Sequence, residues 1–256
     1  MGVTFTSEGP LGFITLDKPP ANSYDLAFMT EFSEAVDEAV VGATRVVIVQ
    51  SASEKFFSAG ADIKKFLEGD VSSNMEMIKV SQAAFRRMAA APQVFIAYIA
   101  GHALGGGLEI ALACDIRLAG AGRYKMGLPE VTLGLLPGNG GTQRLTRLIG
   151  PSRALELLLT GRTYTVEEAR EMGLVADVYN TDESADRVRE YASKLAGGPG
   201  LAIAAIKRCV HEGGELALAN GLALEGELMA TLFRSKDASE GLNAFVEKRK
   251  PEFVGA

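Results

Sequence analysis

The sequence predicts an α/β fold that passes into a mostly helical C-terminal region, and three observations predict it. Short apolar runs at 45–51 and 92–99 have the length and composition of strands buried on both faces. Stretches with apolar residues at helical spacing lie between and after them. Around 92–119 the order strand, glycine turn, helix, strand is legible, and from about residue 142 helical patterns interrupted by glycine continue to the end.

Taken in order, residues 3–16 alternate about a Ser-Glu-Gly-Pro-Leu-Gly turn, which predicts a hairpin. Residues 25–41 place Leu26, Met29, Phe32, Val36 and Val40 on one helical face behind a leading carboxylate. A second helix is predicted over roughly 74–90. After Gly101 come a glycine cluster, a short helix at 108–114 and a strand at 116–119. Helices follow, with breaks at Gly150-Pro151, Gly161, Gly173, Gly197-Gly198-Pro199 and Gly213-Gly214. The stretch 197–200 divides a core region, 1–196, from a helical region, 197–256. The latter carries Leu201, Ile203, Ile206, Val210, Leu222, Leu224, Leu228, Leu232 and Phe233 but is too short for a core of its own, so it is expected to pack on a neighbour.

Composition narrows the function. With 256 residues, 47% hydrophobic and 23% charged, the chain has the balance of a globular protein with a sizeable core. A net charge of -6 argues against a nucleic-acid surface and favours small-molecule partners. Cys114 and Cys209 lie far apart without CxxC spacing and read as reduced thiols, so no metal site is expected. Neither a leader-like start nor a bilayer-length apolar run is present, which gives a cytoplasmic expectation with no membrane partner.

Glycine clusters first suggest phosphate loops, but both the G-x-G-x-x-G spacing and the Gly-Lys-Ser/Thr ending are missing. A serine-hydrolase elbow is missing too, and His102 reads better as a structural histidine than as a base. What remains is a glycine turn opening a helix, whose first amides have no internal partner and can face an oxygen that gains charge. Gly106 lies one turn before Glu109, so an amide donor and a carboxylate share one face. Ala61, in the small-residue turn 56–64, offers a second amide for an oxyanion hole. Glu130, in Gly-Leu-Pro-Glu, is a second candidate carboxylate; taken alone it reads as a solvated charge, and Glu109 as a helix-start carboxylate.

The segments 57–64 (FSAGADIK), 102–109 (HALGGGLE), Cys114-Asp115, 128–130 (LPE), 133–145 (LGLLPGNGGTQRL), 233–241 and 244–250 together resemble the enoyl-CoA hydratase (crotonase) family over nearly the whole chain. The resemblance implies a spiral of repeated ββα units, a helical C-terminal region used for trimer contacts, a homotrimer or homohexamer, and an acyl-CoA thioester as substrate with no separate cofactor. It implies Ala61 and Gly106 as the oxyanion-hole amides, Glu109 and Glu130 as catalytic, and Ala59, Asp62, Ile63, Lys64 and Lys248 as CoA contacts; a solvated turn or helix end accounts equally for the two lysines. Retention of both glutamates favours hydration of a 2-enoyl-CoA, as in β-oxidation, over isomerisation or a non-catalytic binding role. The chain departs from the family at Tyr24, where leucine is typical, and at Asn139, where a small alanine is frequent. Both are expected near the acyl or CoA pocket, which leaves short, branched and cyclic acyl groups open.

Overall fold

The computed structural model describes residues 2–255, and its order of elements is a spiral of four strand–strand–helix turns. The first turn contains the hairpin β1 (Val3–Glu8) and β2 (Leu11–Leu16), then helix α1 (Leu26–Val41). The second runs β3 (Val46–Ser51), β4 (Phe56–Ser58), α2 (Ile63–Glu68) and α3 (Val71–Ala90). The third is β5 (Val94–Ile99), β6 (His102–Leu104) and α4 (Gly106–Ala113). The fourth is β7 (Ile116–Gly120), β8 (Met126–Gly127), a 3-10 turn at Glu130–Leu133, then α5 (Gly141–Ile149) and α6 (Pro151–Thr160).

Both strands of the first turn join one large sheet, and each of the next three turns adds its leading strand to that sheet and its second strand to a small one. The large sheet has the order β1-β2-β3-β5-β7-β9 and is parallel from β2 onward; the small sheet is β4-β6-β8, also parallel. The interior strands β3 and β5 are apolar on both faces because helices cover both sides, as the continuous runs predict. Helix α1 starts where the Asp25 carboxylate accepts from the Phe28 amide at 3.0 Å, and α3 starts where Asp70 accepts from Ser73 at 2.8 Å. The two helices pack through Phe32 and Phe85, edge to face with centroids 6.0 Å apart.

The expected hairpin, α1, β3, α3, β5 and β7 are all present. Helix α2 and the strands β4, β6 and β8 go beyond the expectation, and so does β9 (Asp177–Tyr179), which follows α7 (Val166–Glu171) in a stretch read as helical. Strand β9 closes the edge of the large sheet by pairing Val178 with Ala119. Three residues are too few to show a two-residue alternation in sequence.

Helix α8 (Ser184–Ala196) ends and α9 (Gly200–His211) begins at the glycine-rich stretch 197–200. Helices α10 (Leu218–Leu232) and α11 (Lys236–Glu247) follow. A buried ion pair ties α9 to the spiral. Lys207 Nζ lies 2.9 Å from the Asp115 carboxylate and donates to the carbonyls of Met88 and Gln93 at 2.6 Å each. Asp115 also accepts from the Phe95 amide and holds His211 Nε2 at 2.7 Å. Around this tie the region leaves Ile206, Val210, Leu222, Phe233, Phe245 and Val246 exposed. Among the described residues no helix is long and apolar enough to cross a membrane.

Candidate active site

The spiral brings the same point of each turn to one place. In every turn the chain leaves its short second strand and enters a helix, and at that junction stand Tyr24, Ala61, Gly106 and Glu130. Tyr24 supplies the short strand of the first turn by bridging to Ala61: its amide donates to Gly60 at 2.9 Å and its carbonyl accepts from Asp62 at 2.8 Å. The pairings of β4 with β6 and of β6 with β8 set the other three junctions side by side.

The two predicted oxyanion donors meet. Gly60 has φ +88 and no room for a side chain, since a Cβ there would lie 2.8 Å from the Leu104 carbonyl and 3.2 Å from the Gly106 nitrogen. The turn carrying the Ala61 amide therefore rests directly on the turn carrying the Gly106 amide. Neither amide donates to any acceptor among the described residues. Two unpaired N–H groups side by side, one of them at the start of α4, form the preorganised donor pair that an oxyanion needs.

The two predicted carboxylates face the same centre. Glu109 is buried in the first turn of α4, and its Oε1 accepts from the amides of Asn139 at 2.8 Å and Gly141 at 2.7 Å. Burial pushes its pKa up to about 7; the Glu130 charge adds to the rise, and the two amides oppose it. Glu130 heads the 3-10 turn and reaches back to Gly105, where a Cβ would stand 3.1 Å from Oε1. Its Oε2 is buried without a partner among the described residues, and burial raises this carboxyl as well. A buried carboxyl oxygen without a partner is free to accept a hydrogen bond or to carry a proton.

Three other site residues had weaker sequence signals. The amides of Asn139 and Gly141 that hold Glu109 come from the Gly-Asn-Gly-Gly opening of α5, as visible a helix start as the one before α4 but without a partner apparent in one dimension. Tyr24 is completely buried with its hydroxyl over Gly106, and burial together with the charges of Glu109 and Glu130 holds its pKa well above the ordinary value.

The expected CoA contacts divide. Ala59, Asp62, Ile63 and Lys64 lie together on the rim beside Ala61, with Asp62 capping α2 by accepting from the amides of Lys64 and Lys65. Ile63 and Lys64 are exposed. Lys248 is exposed at the end of α11 with φ 55, and among the described residues no hydrogen bond or ion pair joins it to the 59–64 rim. His102 is structural as expected: its Nδ1 accepts from the Lys125 amide at 3.0 Å and its ring packs on Phe56. Cys114 is a buried thiol pushed up to about 12 by burial, which keeps it unreactive.

The family model for enoyl-CoA hydratase/isomerase matches residues 6–256. The chain belongs to the enoyl-CoA hydratase/isomerase family. Within that family it is 37% identical to a 2,3-dehydroadipyl-CoA hydratase of Escherichia coli K12 over 94% of each chain, and 38% identical to a probable enoyl-CoA hydratase of Bacillus subtilis over 94% of each. An enoyl-CoA hydratase structure from Bacillus anthracis superposes with a TM-score of 0.95 at 37% identity, covering both chains fully. Another from Geobacillus kaustophilus gives 0.97 at 46% identity, covering 100% of this chain and 97% of that one. The spiral of ββα turns is thus the family's fold, and acyl-CoA thioesters are the substrates on which the family acts.

Proposed function

We propose that the protein adds water across the 2,3 double bond of a 2-enoyl-CoA, giving a 3-hydroxyacyl-CoA, with Glu109 and Glu130 as the acid–base pair. The observation that carries this reading is the convergence of both carboxyls on the free amides of Ala61 and Gly106. The amides hold the thioester oxygen, draw electron density from C3 and stabilise the enolate, an effect of roughly 3–4 kcal/mol for one donor. Burial raises the pKa of both neighbouring carboxyls, that of Glu109 to about 7, and this favours a pair in which one group is ionised while the other holds its proton. Addition of water needs that state, with one carboxylate to take a proton and one carboxyl to give one.

Glu109, whose Oε1 is held by two amides that favour the anion, takes the proton from water as its oxygen bonds to C3. Glu130 holds the same water and delivers a proton to C2. Passage of a proton from Glu109 back to Glu130 resets the pair. The 59–64 rim receives the CoA moiety, with Lys64 for its phosphates; Lys248 joins that contact from a neighbouring copy. The exposed apolar faces of α9 to α11 are covered by further copies, as a homotrimer or a pair of trimers, and the setting is cytoplasmic fatty-acyl metabolism such as β-oxidation.

The test is the loss of enoyl absorbance when the protein meets crotonyl-CoA, repeated with Glu130→Gln. Hydration is expected to fall by at least about 10³-fold in the variant. A variant that keeps most of its rate points to double-bond isomerisation through Glu109 alone. A parent that turns over no enoyl-CoA of any chain length favours a binding role over hydration.

A further inference from the structure

Tyr24 and Asn139, the two positions that the resemblance marks as departures, touch each other. Asn139 Nδ2 donates to the Tyr24 hydroxyl at 2.8 Å, across 115 residues of sequence, and both side chains are buried, each 3% exposed. Tyr24 is also fixed at its backbone by Gly60 and Asp62. Its hydroxyl stands where a Cβ on Gly106 would be only 1.6 Å away, so the phenol occupies the space immediately beside an oxyanion amide. Asn139 is itself anchored, because its amide donates to Glu109. The Asn139 Oδ1 is buried without a partner among the described residues.

Tyr24 also lines a cavity of about 290 Å³ together with Phe66, Asn74 and Met77. Gly106, Glu109 and Glu130 do not line that cavity. Tyr24 therefore belongs to both places, its hydroxyl beside Gly106 and the residue itself in the lining of the cavity. An acyl group whose carbonyl sits on the amides of Ala61 and Gly106 starts beside this phenol. A leucine at this position would be shorter and would have no atom to take the Asn139 hydrogen bond.

Resting on the enoyl-CoA reading above, we propose that Tyr24, latched by Asn139, is a specificity-determining divider that confines the site to short acyl groups. The cavity it lines is space that a longer chain enters only when the tyrosine is shortened or released. Because the latch joins the residue that also binds Glu109, a substrate that displaces Tyr24 disturbs the support of the base as well.

The test compares parent, Tyr24→Leu and Asn139→Ala. The kcat/KM values are measured for crotonyl-CoA and trans-2-decenoyl-CoA, and affinities by calorimetry for butyryl-CoA and decanoyl-CoA, which cannot be hydrated. Tyr24→Leu is expected to raise the long-to-short ratio about tenfold or more in both measurements, the scale of a reshaped apolar pocket. Asn139→Ala is expected to move both ratios the same way by less, and it carries the test if the leucine variant does not fold. Ratios that stay within about twofold of the parent overturn the divider while leaving hydration intact. A parent that hydrates nothing, yet shows the affinity ratio shifting in the variants, retains the divider and defeats the hydratase reading instead.

Discussion

Helices α4 and α10 are both rich in leucine and alanine, yet every residue of α4 is buried, whereas α10, nearly twice as long, buries only Leu224. The difference lies in their surroundings. Helix α4 is enclosed by α3, α5, β4 and β6, while α10 packs on α9 and the 3-10 turn at Gly213–Glu215. An apolar residue is stabilised only by the area it removes from water, and a helix with neighbours on one side leaves its other faces wet. Helix α4 finds its apolar partners within the chain, whereas the C-terminal helices keep apolar faces at the surface, where the proposed assembly would cover them.

The most direct way to break this contrast is to cut the tie between the two regions. Lys207→Met leaves the Asp115 charge buried beside His211 and removes two carbonyl contacts from α9. It is expected to cost about 3–5 kcal/mol in urea unfolding, more than a typical surface change.

A matched pair of truncations sharpens it. Leu108→Ala in α4, where the side chain is fully buried, is expected to lower stability by about 3 kcal/mol through transfer and cavity costs. Leu222→Ala in α10, 56% exposed in one chain, is expected to change the isolated fold by less than about 0.5 kcal/mol. In the proposed trimer its effect falls on assembly instead, read as a shift toward monomer in sedimentation velocity. Equal losses from both truncations would show that α10 is as enclosed as α4.

A smaller effect follows from the charge that α4 buries. The Glu109 pKa rises from its ordinary 4.5 to about 7 on folding, so the folded state holds the proton more tightly than the unfolded chain. Stability from this group is complete below about pH 4.5 and is lost as pH climbs through 7. The loss is about 3 kcal/mol at most. Measured against Glu109→Gln, the parent should lose ground over that window, and a gap that does not change with pH would contradict the raised value.

How much of this was legible in the sequence depends on how local each signal is. Helices α1 and α3 and strands β3 and β5 announce themselves because their apolar periods extend over several residues. Strands β4, β6, β8 and β9 have two or three residues each and are strands only because a neighbour offers a free edge. In the site, the pairing of Gly106 with Glu109 follows from helix geometry alone. The family resemblance named Ala61 and Glu130 as their companions, but contact between the two glycine turns depends on the parallel pairing of β4 with β6. The exposed leucines of α10 gave the expectation of a neighbour, since their number exceeds what so short a region can enclose.

The sequence by itself determined which residues carry chemistry and which helical faces are apolar, because both reside in side-chain identity and spacing along the chain. Only the tertiary structure decided that the junctions of four successive turns meet at one point, that Glu109 is held by amides some thirty residues away, and that Asn139 grips Tyr24 across 115 residues. The physical reason is that hydrogen bonds and buried charges act over a few ångströms, and no pattern along the chain states which distant segments the spiral will bring that close.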